Sequence, residues 1–423
     1  MESVNSASQM ALYPDGFWSS LAEVPTQSGN LNLTVVGADA DCLAFGAFTN
    51  SDSASAAVKW SRANLAASGR HLLDGRPLTV GRARAVAVVS NHSNSGTGER
   101  GRHENLLLAK AVAQSIDVPP EEVLMASTGV IGPNYPNFDG LVEAARRTAD
   151  GQCRPVQWHQ VATNICTFLD TNRKKTAFAS VQDGSGASIA AVCKGSNMIY
   201  PMLSGFAAPH STTIALVCTD AILPPDSFWQ VAQSAVDASF NRLNVDGARS
   251  TSDSVVVLAS GTRAVDPVLF SDALRGVMVD LVQAIARDGL GARRGLWIDV
   301  VGASSADQAD RVGRSIALNA HVKYAVYAGD VGLIAGSTWA AVGAAGGGDI
   351  IEELLQIRVN GTPVFLGSAV VSRAFEAEPL DNADVEICVD LRQGSANVRY
   401  YTCDNPKPNP SRISASAELS LGP

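Results

Sequence analysis

The sequence predicts an α/β fold built in layers. Short apolar or alternating runs recur along the chain. Between several of them, apolar residues return every three or four positions, the spacing of a helix with one buried face. The composition also suits a large core: of 423 residues, 46% are apolar and 17% charged. That is too little charge for a disordered chain and ample apolar surface to bury.

Taken in order, residues 1–30 are polar and irregular and read as a loose lead-in. Leu31–Val36 alternates apolar with polar side chains, as a half-buried strand does, and Ala85–Ser90 is a small, valine-rich run of strand length. Glu104–Ile116 carries Leu and Ala at helical spacing, and Val123–Ser127 returns to a strand pattern. A helix is expected over Phe138–Thr148. Strands are expected over Thr176–Val181, Ala187–Cys193 and Thr212–Thr219. Pro224-Pro225 then introduces a helix over Asp226–Leu243, with Asp226 as its N-cap and an Asn244-Val245-Asp246-Gly247 turn at its end. Ser254–Ser260 and Leu296–Val301 read as buried strands, Asp266–Asp288 and Ala306–Ala320 as helices, and Val322–Ala328 as a last strand. Gly343–Gly348 is a turn of small residues without the order of a phosphate-binding loop, and Asn405–Asn409 is a proline-stiffened extended segment.

Several function classes fall away. A net charge of -9 repels phosphate backbones, so nucleic acid is not an expected partner. No apolar run reaches the ~20 residues of a membrane helix, and the N-terminus has no basic region followed by an apolar one. The seven cysteines are odd in number, widely spaced and lack a CxxC pair; Cys193 and Cys218 sit in apolar runs as small core residues. The six histidines have no metal-binding spacing, so a metal site is not expected. A cytoplasmic setting follows as the expectation.

Three stretches carry chemistry. Ala126–Gly132 (ASTGVIG) runs from a strand end into a turn punctuated by glycine, which is able to aim N–H groups and a hydroxyl at one point. Lys194 follows an apolar strand in a chain that has only six other lysines. A lysine there either snorkels from the strand end or receives a substrate carboxylate. Ser211-Thr212-Thr213 opens the next apolar strand. Read plainly, β-branched threonine favours strands. Read as chemistry, a threonine hydroxyl attacks the preceding carbonyl, shifts the acyl group from nitrogen to oxygen and frees a new N-terminus. That residue then holds a nucleophile and its own α-amine, whose pKa of ~7.7–8.0 suits a general base. No Ser-His-Asp or Cys-His set competes with it.

These residues resemble the ornithine acetyltransferases, the bifunctional glutamate N-acetyltransferases of arginine biosynthesis. Thr97–Gly101 (TGERG), Ala126–Gly132, Lys194–Ile199 (KGSNMI), Thr212–Ala221 and Ser239–Asp253 (SFNRLNVDGARSTSD) are similar to five landmarks of that family, in its order. Fainter similarity continues at Asp288-Gly289, Val322-Lys323 and Val398–Tyr401, so the likeness runs from about residue 45 through most of the chain. The resemblance implies a layered α/β/β/α sandwich like that of the N-terminal-nucleophile hydrolases. It implies cleavage between Ser211 and Thr212, chosen by counting back from Thr219-Asp220-Ala221. An α-chain of residues 1–211 and a β-chain of residues 212–423 then share one core, and two such pairs form a tetramer. It further implies Thr212 as nucleophile, Thr128 and Gly129 as oxyanion hole, and Lys194 and Ser414 as substrate-binding residues. The reaction is a ping-pong transfer of an acyl group, usually acetyl, from an N-acyl amino acid donor to an amine acceptor.

The chain also departs from the family pattern. Leu290 stands where the family has a substrate-binding glutamate, and Phe168-Leu169-Asp170-Thr171 lacks a threonine of the corresponding segment. Gly329–Ile334 differs from the family's sequence there, Ser414 replaces an asparagine, and the segment between Lys194 and Thr212 is longer. Two other readings therefore stand beside acyl transfer: an amidohydrolase that passes the acyl group to water, and a non-catalytic binding relative.

Overall fold

The computed structural model describes residues 13–49, 51–69, 80–200, 203, 213–371, 380 and 384–405, and the backbone alone of 72–73 and 76–77. By internal packing the chain forms two compact units, residues 1–241 with 248–281, and 242–247 with 282–423.

The first unit begins with a hairpin. β1 (Phe17–Thr26) and the long β2 (Gly29–Phe48) pair antiparallel throughout, so the expected lead-in is a strand from Phe17 onward. Its polar side chains are those of an edge strand, and alternation is weak because Phe17 to Ser20 are all buried. α1 (Ala56–Ser68) follows, started by Ser55, whose hydroxyl accepts from Val58 N at 3.2 Å. A short ladder of β3 (Leu72–Leu73) and β4 (Arg76–Pro77) leads to β5 (Val80–His92), α2 (Gly98–Ser115), β6 (Val123–Val130), α3 (Phe138–Arg146) and α4 (Trp158–Asn164). Then come β7 (Thr176–Ser180), β8 (Ser188–Lys194), β9 (Ile214–Ile222), α5 (Pro225–Ala238), β10 (Ser254–Ala264) and α6 (Pro267–Arg287), which runs on into the second unit.

The strand order is β6-β5-β2-β10-β9-β8-β7, with β1 also on β2. β2 shifts register between Gly37 and Cys42. β5 pairs with both halves; on the other edge, β1 pairs with the first half and β10 with the second. The sheet is thereby folded over on itself. Leu124 and Ala126 of β6 share one buried cluster with Ala190 and Val192 of β8, although four strands lie between them in the order. On the outer side of one layer, Ala85, Ala87, Val89 and Met125 pack on Leu108 and Val112 of α2 and Leu141 of α3. Outside the other, Cys193 faces Leu281 of α6. Helix, sheet, sheet and helix are stacked as expected.

In the second unit, β11 (Gly295–Ala303), α7 (Ala306–Leu318), α8 (Ala320–Ala328), α9 (Val331–Gly343), β12 (Gln356–Val359), β13 (Thr362–Leu366), β14 (Ala369–Val370), β15 (Val385–Asp390) and β16 (Ala396–Cys403) follow. They form a sheet in the order β14-β13-β12-β15-β11-β16. Ile298 and Val300 of β11 pack against Val312 and Ile316 of α7, Val326 of α8 and Ile334 of α9.

Three expectations are corrected here. Val322–Ala328 is not a strand but most of α8. Asn319 caps it through His321 N at 2.9 Å and Val322 N at 3.1 Å, and Gly329 ends it in the left-handed region at φ 73°. Asp226 is not an N-cap. That place falls to Pro224, and Asp226 lies in the first turn of α5. α5 also ends at Ala238, short of Leu243, and a single 3-10 turn, Phe240–Arg242, follows it. The turn at 244–247 is present, with Asn244 Oδ1 accepting from Gly247 N at 2.9 Å. Among the described residues, no helix is long and apolar enough to cross a membrane.

Candidate active site

Alternation along two strands builds the site. Leu124 and Ala126 of β6 face the space between the sheet layers, and so does Thr128, two residues on. Ala190 and Val192 of β8 face the same space, followed by Lys194. Lys194 Nζ donates to Thr128 Oγ1 at 3.2 Å. Two residues 66 positions apart therefore meet because both continue inward-facing rows. Thr128 and Lys194 are 1% and 4% exposed, so this hydrogen bond forms away from bulk water.

A buried lysine requires a counter-charge, and Asp170 supplies it. Its Oδ2 lies 3.4 Å from Lys194 Nζ, and its Oδ1 lies 3.4 Å from Lys175 Nζ. The carboxylate also accepts from Thr167 N at 2.9 Å, Thr167 Oγ1 at 3.0 Å and Gly195 N at 2.8 Å. Burial alone would raise its pKa. The two ammoniums and the two backbone N–H groups outweigh burial and hold it at about 2. One carboxylate thus faces two ammoniums inside the protein.

The turn at the end of β6 is shaped by glycine. Gly129 has φ 138°, and a Cβ there would lie 2.2 Å from Asn91 C. No other residue fits without moving the backbone of β5. His92 holds the far side of this turn. Its Nδ1 accepts from Asn94 N at 3.0 Å, so Nε2 carries the proton and donates to Pro133 O at 2.8 Å. Burial lowers its pKa, and the ring stacks on Tyr135 at 3.9 Å between centroids.

A third piece of chain approaches from β9. Lys194 pairs across the β8–β9 ladder with Ile214, and Thr213 lies just before it. Thr213 N donates to the fully buried Asp253, and Thr213 O accepts from Ser254 N at 2.9 Å. The Thr213 hydroxyl has no partner among the described residues. Buried hydroxyls tie this region to the glycine turn: Ser95 Oγ lies 2.6 Å from Thr251 Oγ1, while Ser95 O accepts from Gly132 N at 2.9 Å.

Of the residues singled out from sequence, Thr128, Gly129 and Lys194 converge, with Lys194 the last residue of β8. Ser211, Thr212 and Ser414 lie outside the described residues. Asp170, Lys175, His92 and Asp253 were not anticipated as parts of the site. The only signals for them were the place of Asp170 and Asp253 within motif segments and the scarcity of lysine. Two of the residues at departures from the family pattern, Phe168 and Leu290, are exposed apolar side chains, 53% and 51% accessible. Among the described residues, no group of three or more His, Cys, Asp or Glu side chains is arranged to hold a metal ion.

Comparison with known proteins gives one consistent result. The model of the ArgJ family matches residues 20–407. The arginine biosynthesis bifunctional protein ArgJ of Dehalococcoides mccartyi is 32% identical over 386 residues, covering 89% of this chain and 88% of that protein. The glutamate N-acetyltransferase of Methanopyrus kandleri is 32% identical over 343 residues, covering 77% and 83%. Among solved structures, an arginine biosynthesis bifunctional protein argJ from Bacillus halodurans is 29% identical with a TM-score of 0.42, covering 48% of this chain and 98% of that one.

Proposed function

The chain belongs to the ArgJ family, and on that premise we propose that it is an N-acyltransferase using an N-terminal threonine. It moves an acetyl group from an N-acyl amino acid such as N2-acetylornithine to glutamate or a related amine. The observation that carries this reading is the buried Lys194–Thr128 pair, set on the same rung as Ile214, two residues past Thr212. A hydroxyl donor and a cation lie where the nucleophile's strand begins.

The reaction runs as follows. The Thr212 hydroxyl attacks the carbonyl of Ser211, the C–N bond breaks as the acyl group shifts to oxygen and frees the α-amine, and water hydrolyses the resulting ester to the Ser211 carboxylate and the Thr212 hydroxyl. The α-chain of residues 1–211 and the β-chain of residues 212–423 stay together, and two pairs form a tetramer in the cytoplasm. In turnover the Thr212 hydroxyl oxygen attacks the acyl carbon and its proton passes to the α-amine. The carbonyl π pair moves onto oxygen, which accepts from the Thr128 hydroxyl and Gly129 N–H. The C–N bond breaks, and the stored proton leaves with the amine. The acceptor amine then attacks the ester and reverses these steps. Lys194 receives the substrate carboxylate, Ser414 completes the substrate site, and no cofactor or metal takes part.

Intact-mass measurement tests this directly. Purified protein is expected as two chains meeting between Ser211 and Thr212. Incubation with N2-acetylornithine adds the mass of one acetyl group to the second chain. Thr212→Ala stays a single chain. Wild-type protein that remains one chain and is nevertheless active would sink the reading. The exposed Phe168 and Leu290 favour one second reading, an amidohydrolase with altered amine contacts. Acyl release that proceeds at full rate without any added amine would support it.

A further inference from the structure

Thr128 has one hydroxyl proton to give. Its oxygen already accepts from Lys194 Nζ, and no acceptor for its own O–H lies among the described residues. An accepted bond from an ammonium fixes the rotamer of the hydroxyl and polarises its O–H, which strengthens that O–H as a donor. Lys194 is in turn fixed by Asp170, whose other oxygen is taken by Lys175 and whose carboxylate is anchored by Thr167 and Gly195. The chain of contacts Asp170–Lys194–Thr128 is continuous and buried at every member.

We infer that Lys194 and Asp170 are positioning residues for oxyanion stabilisation: they aim and polarise the Thr128 hydroxyl for any acyl donor, including one that carries no carboxylate. This rests on the reading of Thr128 as an oxyanion donor. It differs from a role for Lys194 in substrate binding alone, because a lysine that only grips a carboxylate is idle when the donor has none.

The test compares two donors, p-nitrophenyl acetate and N2-acetylornithine, on the cleaved holoprotein. Lys194→Met removes the donor and keeps the Asp170–Lys175 contact, so the fold should tolerate it. If that variant does not fold, Lys194→Leu gives the same comparison. The expected result is a fall of about tenfold in the rate of p-nitrophenol release, with a fall of about a hundredfold for Thr128→Val. Thr128→Ser, which keeps the hydroxyl, restores most of the rate. In a Thr128→Val background, Lys194→Met should slow the ester no further. Unchanged ester turnover in Lys194→Met, with a raised KM for N2-acetylornithine, overturns the inference and leaves acyl transfer standing. Unchanged turnover of both donors in Thr128→Val overturns the oxyanion reading beneath it.

Discussion

Asp170 holds two ammoniums apart and together, and its variants should separate the charges of this site. Asp170→Asn removes the carboxylate that both Lys175 and Lys194 face. Its expected cost is on the order of 3–5 kcal/mol in urea denaturation near neutral pH. Lys194→Met, which keeps the Asp170–Lys175 contact, should cost far less. The two measurements together report which charge the fold depends on. The pH dependence has a fixed sign. The Asp170 pKa is depressed in the folded chain, so its contribution is fully present above the unfolded value near ~4. It is lost as the pH falls through about 2. The stability gap between wild type and Asp170→Asn is therefore expected to narrow between these values, and a gap that widened on acidification would contradict the assignment. Lys194 was legible in the sequence because an ammonium at the end of an apolar strand is conspicuous. Asp170 was not, because its partnership with Lys194 is made across separate elements and has no local period.

At the scale of the element, legibility followed burial on one face. β5, β8 and β10 are nearly continuous apolar runs and were readable as strands. α8 was not, because Val322, Tyr324, Val326 and Tyr327 supply strand-forming side chains within a short element. Its type is decided at the ends, by the Asn319 cap and the left-handed Gly329, and by burial at Val322, Lys323, Ala325 and Val326. Asn319→Ala removes the side chain that accepts from two N–H groups. It is expected to destabilise the chain by about 1 kcal/mol, with faster amide exchange in the first turn of α8. The turn at the end of β6 is less forgiving. Gly129→Ala forces a Cβ onto Asn91 and an unfavoured φ, so a loss of at least about 1–3 kcal/mol and of acyl transfer is expected. Thermal unfolding and turnover check the two halves of that statement.

Across the whole molecule, the proposed break at Ser211–Thr212 divides the sequence but not the first sheet. β2, β5, β6 and β8 precede it, β9 and β10 follow it, and their inward residues share one cluster. A denaturing gel should show two bands of nearly equal mass. Gel filtration without denaturant should show one species, since separating the chains means stripping β9 from β8 and β10 from β2. Two bands that resolve under native conditions would argue against a shared core. The layered architecture itself was readable from strand and helix periods. The fold-over of the sheet was not, because it depends on the register shift within β2.

The rung between Lys194 and Ile214 has one more consequence. The ladder fixes only its two ends, Lys194 and Ile214, so the number of residues joining them is not dictated by the strands. The entropic cost of closing a connection rises only logarithmically, by about 0.6 kcal/mol for each doubling of its length. Changes in the length of that connection are accordingly expected to be cheap in stability, while insertions or deletions inside β8 or β9 shift every side chain to the wrong face.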